Sequence, residues 1–496
     1  MISHFRLFCI IGVAACQALA FAVVDEKKPN IIFIISDDQT YESVNAHGFK
    51  ELKTPSLDRL ATNGVTFTQA YNMGAWQGAV CVSSRTMLQT GQFLWKTKQA
   101  DKNLQTIAQK EQRLWPQLLK QAGYETYMTG KWHVHVPVED VFNHVVNLRP
   151  GMPKQTPEGY NRPIEGELDE WSPYATQFGG NWAGGKHWSE VLADDAENYI
   201  NQASKKDKPF FMYLAFSAPH DPRQAPKRFV DMYPLEDVQV PASFLPEYPY
   251  KQEIDCYEIP LMKKGKVVGT KLARDESLAP WPRTEFAVRT HRQEYYAMIT
   301  HMDEQIGRIL DALENSGEAD NTYVIFTSDH GLACGEHGLL GKQNMYEHSM
   351  RVPFIVTGPE VPAGEQRDAP IYLQDAVTTT LELAGAEIPD EVDFKSLVPA
   401  IRDASADAPY DRIYGAFKED KQRMIRIGDY KLILYPEAGV VRLFNLKDDP
   451  DEIRDLAGDP SQWARIREMF ISLQELQVEY GDKLDLSKSY PDLTLR

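Results

Sequence analysis

Apolar residues dominate Pro29-Asn-Ile-Ile-Phe-Ile-Ile-Ser36, Pro209-Phe-Phe-Met-Tyr-Leu-Ala-Phe-Ser-Ala-Pro-His220 and Thr322-Tyr-Val-Ile-Phe-Thr-Ser328, and each run is followed at once by charged or imidazole side chains. Short runs without polar alternation fit strands covered on both faces, the condition of parallel sheets. Lys110 to Ala122 and Glu294 to Asn315 instead repeat apolar residues at helical spacing, the second along one face of about six turns. Strand-like and helix-like stretches alternate from about Asn30 to about Ala386. That pattern predicts an α/β fold with a largely parallel central sheet sandwiched by helices, over residues 28–388.

From about Asp390 the pattern changes. Arg412-Ile-Tyr-Gly-Ala, Met424-Ile-Arg-Ile, Tyr430-Lys-Leu-Ile-Leu-Tyr435 and Val441-Arg-Leu-Phe-Asn-Leu446 are short strand-like segments separated by turns, and Pro460 to Tyr480 is helix-like. They predict a smaller antiparallel sheet with one helix over residues 389–496. Two insertions interrupt the first region. Asn147 to Lys186 is rich in Pro, Gly and aromatics, with Trp171, Tyr174 and Trp182, and Pro234 to Pro282 is similar and ends near Trp281. The first reads either as a surface that stacks on sugars or as a loop that packs its own aromatics. No internal repeat is evident.

The amino terminus reads as a targeting segment. Met1-Ile-Ser-His-Phe-Arg6 precedes an apolar core too short to span a bilayer. Ala18-Leu-Ala20 and Ala20-Phe-Ala22 fit cleavage of a signal peptide over residues 1–22, giving a soluble exported protein, periplasmic or extracellular. Val13-Ala-Ala-Cys16 resembles a lipobox, which would make residues 1–15 a lipoprotein leader and Cys16 a lipid anchor. No other stretch reads as a transmembrane segment, and no pattern specifies an oligomeric state. Beyond the leader only Cys81, Cys256 and Cys334 remain. This is not a disulfide scaffold, although Cys256 and Cys334 could bridge.

Candidate chemistry collects where the apolar runs end. Asp37 and Asp38 follow the first run, Asp329 and His330 the third, and His220, Asp221 and Arg223 the second. Ligands of α/β sheets bind outside the carboxyl ends of the strands. Paired acids there suit a hard divalent cation, to which the His330 nitrogen is a discordant ligand. Thr129-Gly-Lys-Trp-His133 adds Lys131 and His133, and Gly341-Lys-Gln-Asn-Met-Tyr-Glu-His-Ser-Met-Arg-Val-Pro353 adds Lys342. Each residue alone has a bland reading as a helix cap, a solvated charge or a structural histidine.

Cys-Val-Ser-Ser-Arg-Thr-Met-Leu-Gln-Thr-Gly, from Cys81 to Gly91, resembles the maturation signature of the type I sulfatases, C-x-P-S-R followed by five residues ending in T-G. Cys81, Ser84, Arg85, Thr90 and Gly91 meet it, and Ser83 stands where proline is usual. The G-K-W-H and A-P-H segments and Leu443-Phe-Asn-Leu-Lys-Asp-Asp-Pro-Asp-Glu452 also resemble segments of that family. The resemblance implies an alkaline phosphatase-like fold and a formylglycine (3-oxoalanine) made from Cys81 by a formylglycine-generating enzyme. It implies one Ca2+ held by Asp37, Asp38, Asp329, His330 and the modified Cys81. Arg85, Lys131 and Lys342 would bind the sulfate, and Asp329 would help deprotonate the attacking hydroxyl. His220 or Lys342 would protonate the leaving group, and His133 would serve the release of sulfate.

The motif dress is similar to bacterial carbohydrate sulfatases of the choline or iduronate sulfatase-like branch. That implies a sulfated glycan substrate, with exo removal of sulfate from a galactose-type or amino-sugar unit. Asp221, Arg223 and His291 are candidate substrate contacts, and His187 is a weaker one. Two other readings stay open: a phosphodiester or phosphonate monoester hydrolase of the same superfamily, and a non-catalytic glycan-binding lipoprotein with Cys81 unmodified. The formal charge of −18 on 496 residues argues against nucleic acid as a partner. It also requires that an anionic substrate be drawn by a local cationic pocket rather than by the global field.

Overall fold

A computed structural model describes residues 27–154, 156–263, 266–272 and 277–494. The leader, with Cys9 and Cys16, lies outside the described residues. The central sheet is built from β1 (Asn30–Asp37), β2 (Val65–Phe67), β3 (Glu125–Lys131), β4 (His144–Arg149), β5 (Phe210–Pro219), β6 (Thr322–Ser328), β7 (Phe354–Thr357) and β8 (Glu365–Arg367). Its order is β8-β2-β7-β6-β1-β5-β3-β4. The five strands β6-β1-β5-β3-β4 are mutually parallel, and β7 joins antiparallel at β6.

Successive residues of β1 point to opposite faces, and both faces are covered. Ile31, Phe33 and Ile35 pack in one core with Leu88 of α1 (Val80–Thr90) and with Trp115 and Leu119 of α2 (Trp115–Gln121). Ile32 and Ile34 pack in a second core with Leu192 of α3 (Trp188–Ala203) and with Ile299 and Met302 of α4 (Glu285–Ser316). This two-sided burial is why the strand has no polar alternation. Trimming Ile34 to Ala would cost about 2–5 kcal/mol.

Two helices differ from the sequence expectation. The stretch predicted over 110–122 breaks, because Gln112 takes a left-handed conformation (φ 50°) and α2 starts only at Trp115, with Pro116 in its first turn. Proline is tolerated there but not deeper in a helix. The second helix begins earlier than predicted, at Glu285, because the Thr284 hydroxyl accepts the Ala287 N–H. It stops at Gly317 (φ 76°).

The smaller sheet comprises β9 (Arg412–Phe417), β10 (Gln422–Ile427), β11 (Tyr430–Tyr435) and β12 (Val440–Asn445), all antiparallel. Phe470, Leu473 and Leu476 of α5 (Trp463–Tyr480) share a core with Ile425, Leu432 and Leu434 of this sheet. Its fifth strand comes from far away. Gly74–Ala75 pairs in parallel with β9, Gly74 opposite Ala416 and Ala75 opposite Phe417. Gly74 has φ 100°, and a Cβ there would lie 1.9 Å from the Ala416 carbonyl oxygen, so only glycine permits this approach.

The first insertion packs its own aromatics. Trp171 is 6% exposed and stacks on Phe178 with ring centroids 5.1 Å apart, while Tyr174 is exposed. Trp281, at the end of the second insertion, is buried. Cys256 and Cys334 are both buried and no disulfide joins them, so the open possibility of a bridge is not realised. No described helix is long and apolar enough to cross a membrane.

Candidate active site

Because β6, β1, β5 and β3 are parallel neighbours, their carboxyl ends deliver side chains to one edge of the sheet. β1 ends at Asp37, followed by Asp38 in a left-handed conformation (φ 67°), and β3 ends at Lys131, two residues before His133 (φ 54°). β5 ends at Pro219 before His220, and β6 at Ser328 before Asp329 and His330. α1 opens beside them. Cys81 is its second residue and Arg85 lies one turn on, so both share a helical face. Lys342 arrives from the loop after β6. Of these, only His133 is not buried outright.

Cys81 Sγ lies 3.2 Å from Asp37 Oδ1 and 3.8 Å from Asp38 Oδ1. Lys342 Nζ is 3.2 Å from that sulfur and 2.6 Å from Asp38 Oδ2, and Lys131 Nζ pairs with Asp37. Arg85 Nε donates to Asp329 Oδ2 at 2.8 Å and Nη1 to the Lys131 carbonyl at 2.9 Å. Its buried Nη2 lies 3.9 Å from Asp37 Oδ2 and completes no hydrogen bond. The Asp38 N–H donates to Asp329 Oδ1 at 3.3 Å.

Burial by itself would raise the Asp37 pKa, yet Lys131, His220 and Arg85 together hold it well below the usual carboxylate range. Asp38 goes the other way: burial lifts it to about 6 against the pull of Lys342. Burial, with Asp329 and Asp37, pushes the Cys81 thiol well above its ordinary value. An unmodified thiol here stays protonated, and the thiol is not the nucleophilic form. Burial and Lys342 would lower His220, but Asp221, Asp38 and Asp37 outweigh them and raise it to about 9. Burial, with Lys131 and Arg85, pushes His133 down to about 3, so its imidazole is neutral.

Ligand atoms of Asp37, Asp38, Cys81 and His220 lie within 4.8 Å of one another. Asp329 and His330, expected in the metal set, stand outside this group. Asp329 is turned to Arg85, and His330 Nδ1 meets the Gly331 carbonyl at 2.8 Å. Burial holds His330 neutral, with its pKa near 3. The donor set still fits a hard cation. Asp37 and Asp38 offer carboxylate oxygens, and Asp329 is one hydrogen bond away. A thiol is a poor calcium ligand, so an oxygen-bearing residue at position 81 would complete the set better.

The expected substrate contacts fare differently. Asp221 is engaged with His220, its Oδ1 2.9 Å from Nδ1, and it accepts a hydrogen bond from the Tyr160 hydroxyl. Arg223 is buried, donates to the His291 carbonyl at 3.0 Å and lies over the Tyr295 ring. His291 is 0% exposed and meets the Arg162 carbonyl at 2.6 Å. His187 caps α3, its Nδ1 accepting the Ser189 N–H. Arg223, His291 and His187 are all buried in the packing, and Arg223 Nε and Nη2 and His291 Nδ1 complete no hydrogen bond there. Two residues escaped sequence reasoning. Tyr160 lies in the first insertion with no periodic signal, and Gly151 packs against His133, where a Cβ would come 2.2 Å from Nε2.

Comparison with known proteins gives a concordant answer. A family model described as Sulfatase matches residues 29–386, and one described as N-sulphoglucosamine sulphohydrolase, C-terminal, matches residues 335–479. An N-acetylglucosamine-6-O-sulfatase of Bacteroides thetaiotaomicron is 27% identical over 518 residues, covering 92% of this chain and 88% of its own. A solved structure of a protein in complex with its substrate D-glucosamine-2-N,6-O-disulfate is similar with a TM-score of 0.71 at 25% identity, covering 93% of this chain and 100% of that one. A phosphonate monoester hydrolase of Agrobacterium radiobacter shares the fold, with a TM-score of 0.69 at 21% identity over 91% of this chain and 96% of its own.

Proposed function

The chain belongs to the sulfatase family and is a sulfuric ester hydrolase, and we infer that it removes sulfate from a carbohydrate through a formylglycine formed at Cys81. The observation that carries this reading is the buried meeting of Cys81 with Arg85, Lys131, Lys342 and His220 at the parallel strand ends. Arg85, Lys131 and Lys342 present positive charge where a sulfate group would lie, and the amino terminus of α1 adds its dipole. Charge that spreads over sulfate oxygens as the S–O bond breaks is met by groups already in place.

The protonated Cys81 thiol is a poor nucleophile, which supports its replacement by a modified residue. A hydrated aldehyde formed from Cys81 would supply a hydroxyl nucleophile for sulfur and a second hydroxyl through which sulfate could leave. Asp37, Asp38 and Asp329, with an oxygen of residue 81 and the neutral His330, would hold calcium, which supplies a Lewis acid beside the sulfate oxygens. His220, held protonated, stands ready to give a proton to the leaving sugar oxygen. His133, held neutral, is available to accept one.

Similarity to the N-acetylglucosamine-6-O-sulfatase supports a sulfated amino-sugar unit as the substrate, and exo removal of the sulfate is part of the proposal. We read residues 1–22 as an export leader, which fits a glycan found outside the cell. The test is mass spectrometry of the Cys81 peptide from protein made with a formylglycine-generating enzyme, followed by turnover assays. The peptide is expected about 18 Da lighter than the thiol form. The converted protein is expected to desulfate N-acetylglucosamine 6-sulfate and aryl sulfates. A large preference for aryl phosphodiesters over both would overturn the reading.

A further inference from the structure

The catalytic imidazole is not the last member of its chain of contacts. His220 Nδ1 donates to the Asp221 main-chain carbonyl at 3.0 Å and lies 2.9 Å from the Asp221 carboxylate Oδ1, and Nε2 faces Asp38 Oδ2 at 3.5 Å, on the side of Cys81. The other oxygen of Asp221 accepts the hydroxyl of Tyr160, so both oxygens of this buried carboxylate are engaged. Tyr160 belongs to the first insertion, and it lines a cavity of about 290 Å³ together with Arg162, Asp169 and Leu261 of the two insertions. The hydroxyl thus links a segment far from the sheet to the ring that faces the reaction.

We propose that Asp221 and Tyr160 are positioning residues for the leaving-group proton, Asp221 fixing the His220 ring through Nδ1 and Tyr160 fixing the Asp221 carboxylate. The inference rests on the reading of His220 as general acid in sulfate-ester hydrolysis. A carboxylate on the far nitrogen sets the orientation of an imidazole and stabilises its charged form without taking its proton. As the S–O bond breaks, its electron pair goes to the sugar oxygen, and the proton on Nε2 moves to that oxygen. The proton on Nδ1 stays between His220 and Asp221, and solvent restores the Nε2 proton. This assignment differs from a sugar-binding role for Asp221, because both carboxylate oxygens already face His220 and Tyr160 inside the protein.

The experiment measures kcat and KM of protein converted at residue 81, and of Asp221→Asn and Tyr160→Phe, on aryl sulfates graded in leaving-group basicity. A proton donor matters most for the most basic leaving group. The expected result is a kcat loss for Asp221→Asn that grows along the series to roughly 10- to 100-fold, with a smaller loss of the same trend for Tyr160→Phe. KM should move less than about twofold for either variant. Tyr160→Phe keeps the ring and so stays informative if Asp221→Asn fails to fold. Equal losses across the series would mean a structural role, and a rise in KM alone would mean substrate contact; either overturns the proposal. If the wild type prefers aryl phosphodiesters, the sulfate reading fails, and the same graded series of diesters still decides the proposal. A converted wild type that turns over neither class overturns both.

Discussion

Arg85 and Asp329 meet at 2.8 Å with both side chains fully buried, and the same guanidinium holds the Lys131 carbonyl at 2.9 Å. One side chain of α1 therefore ties the ends of β3 and β6 together. Removing one partner of a buried pair leaves the other charge uncompensated. Arg85→Met is expected to lower the unfolding free energy by about 3–5 kcal/mol, read from urea unfolding. Arg85→Lys keeps the charge but not the two-armed geometry, so its stability loss should be smaller while kcat still falls on the order of 100-fold. A Met variant as stable as the wild type would contradict the structural half of this account.

His133 is held by packing more than by hydrogen bonds, since its buried Nδ1 has no partner. A methyl group at position 151 would reach 2.2 Å from Nε2 and push the ring aside. The backbone at Gly151 is not in the left-handed region, so Gly151→Ala should leave thermal stability within about 1 kcal/mol of the wild type. Its kcat is expected to fall by roughly tenfold or more, because a displaced base no longer reaches its proton. Unchanged turnover would show that His133 takes no part.

Asp221, Asp38 and Asp37 raise the His220 pKa from 6.5 to about 9, against burial and Lys342. In the proposed role the protonated form is the acid, and calcium on Asp37 and Asp38 would offset part of their pull, so kcat of the loaded enzyme on poor leaving groups should decline with rising pH at or below about 9. The stability contribution has the same sign. It is fully present below 6.5, the unfolded value, and is lost as pH rises through about 9. In Asp221→Asn one source of the elevation is gone, and the alkaline limb of the kcat profile should move to lower pH. A limb that stays in place would remove Asp221 from the electrostatics of the site.

Calcium, if held by Asp37, Asp38 and Asp329, binds the folded protein alone. Treatment with a calcium chelator is expected to lower Tm, and calcium at about a hundredfold excess over Kd should restore about 2.7 kcal/mol. Asp37→Asn should abolish the response. A Tm indifferent to both chelator and calcium would argue against a resident ion.

The three apolar runs predicted β1, β5 and β6 to within a residue or so, because burial on two faces leaves no choice of side chain. The gathering of Asp37, His220 and Asp329 at one edge follows from parallel pairing alone. Direction was not legible. Nothing in the chain says that Arg223 turns to the His291 carbonyl, or that His330 turns to Gly331 while its neighbour Asp329 turns to Arg85. Residue type names what a side chain can do, and packing decides which way it points. The Tyr160 contact was hidden because insertions carry no period, and the Gly74–Ala75 strand because two residues are too few to show one.

That two-residue strand sets a clock. Cys81, only 2% exposed, follows closely on a segment whose partner, β9, ends at Phe417. Under the proposed chemistry a modifying enzyme must reach the thiol before this closure buries it. The amount of active enzyme is then the outcome of a race between oxidation and folding. Slower folding would leave more time for conversion, and early closure would trap an inert thiol in a well-folded protein.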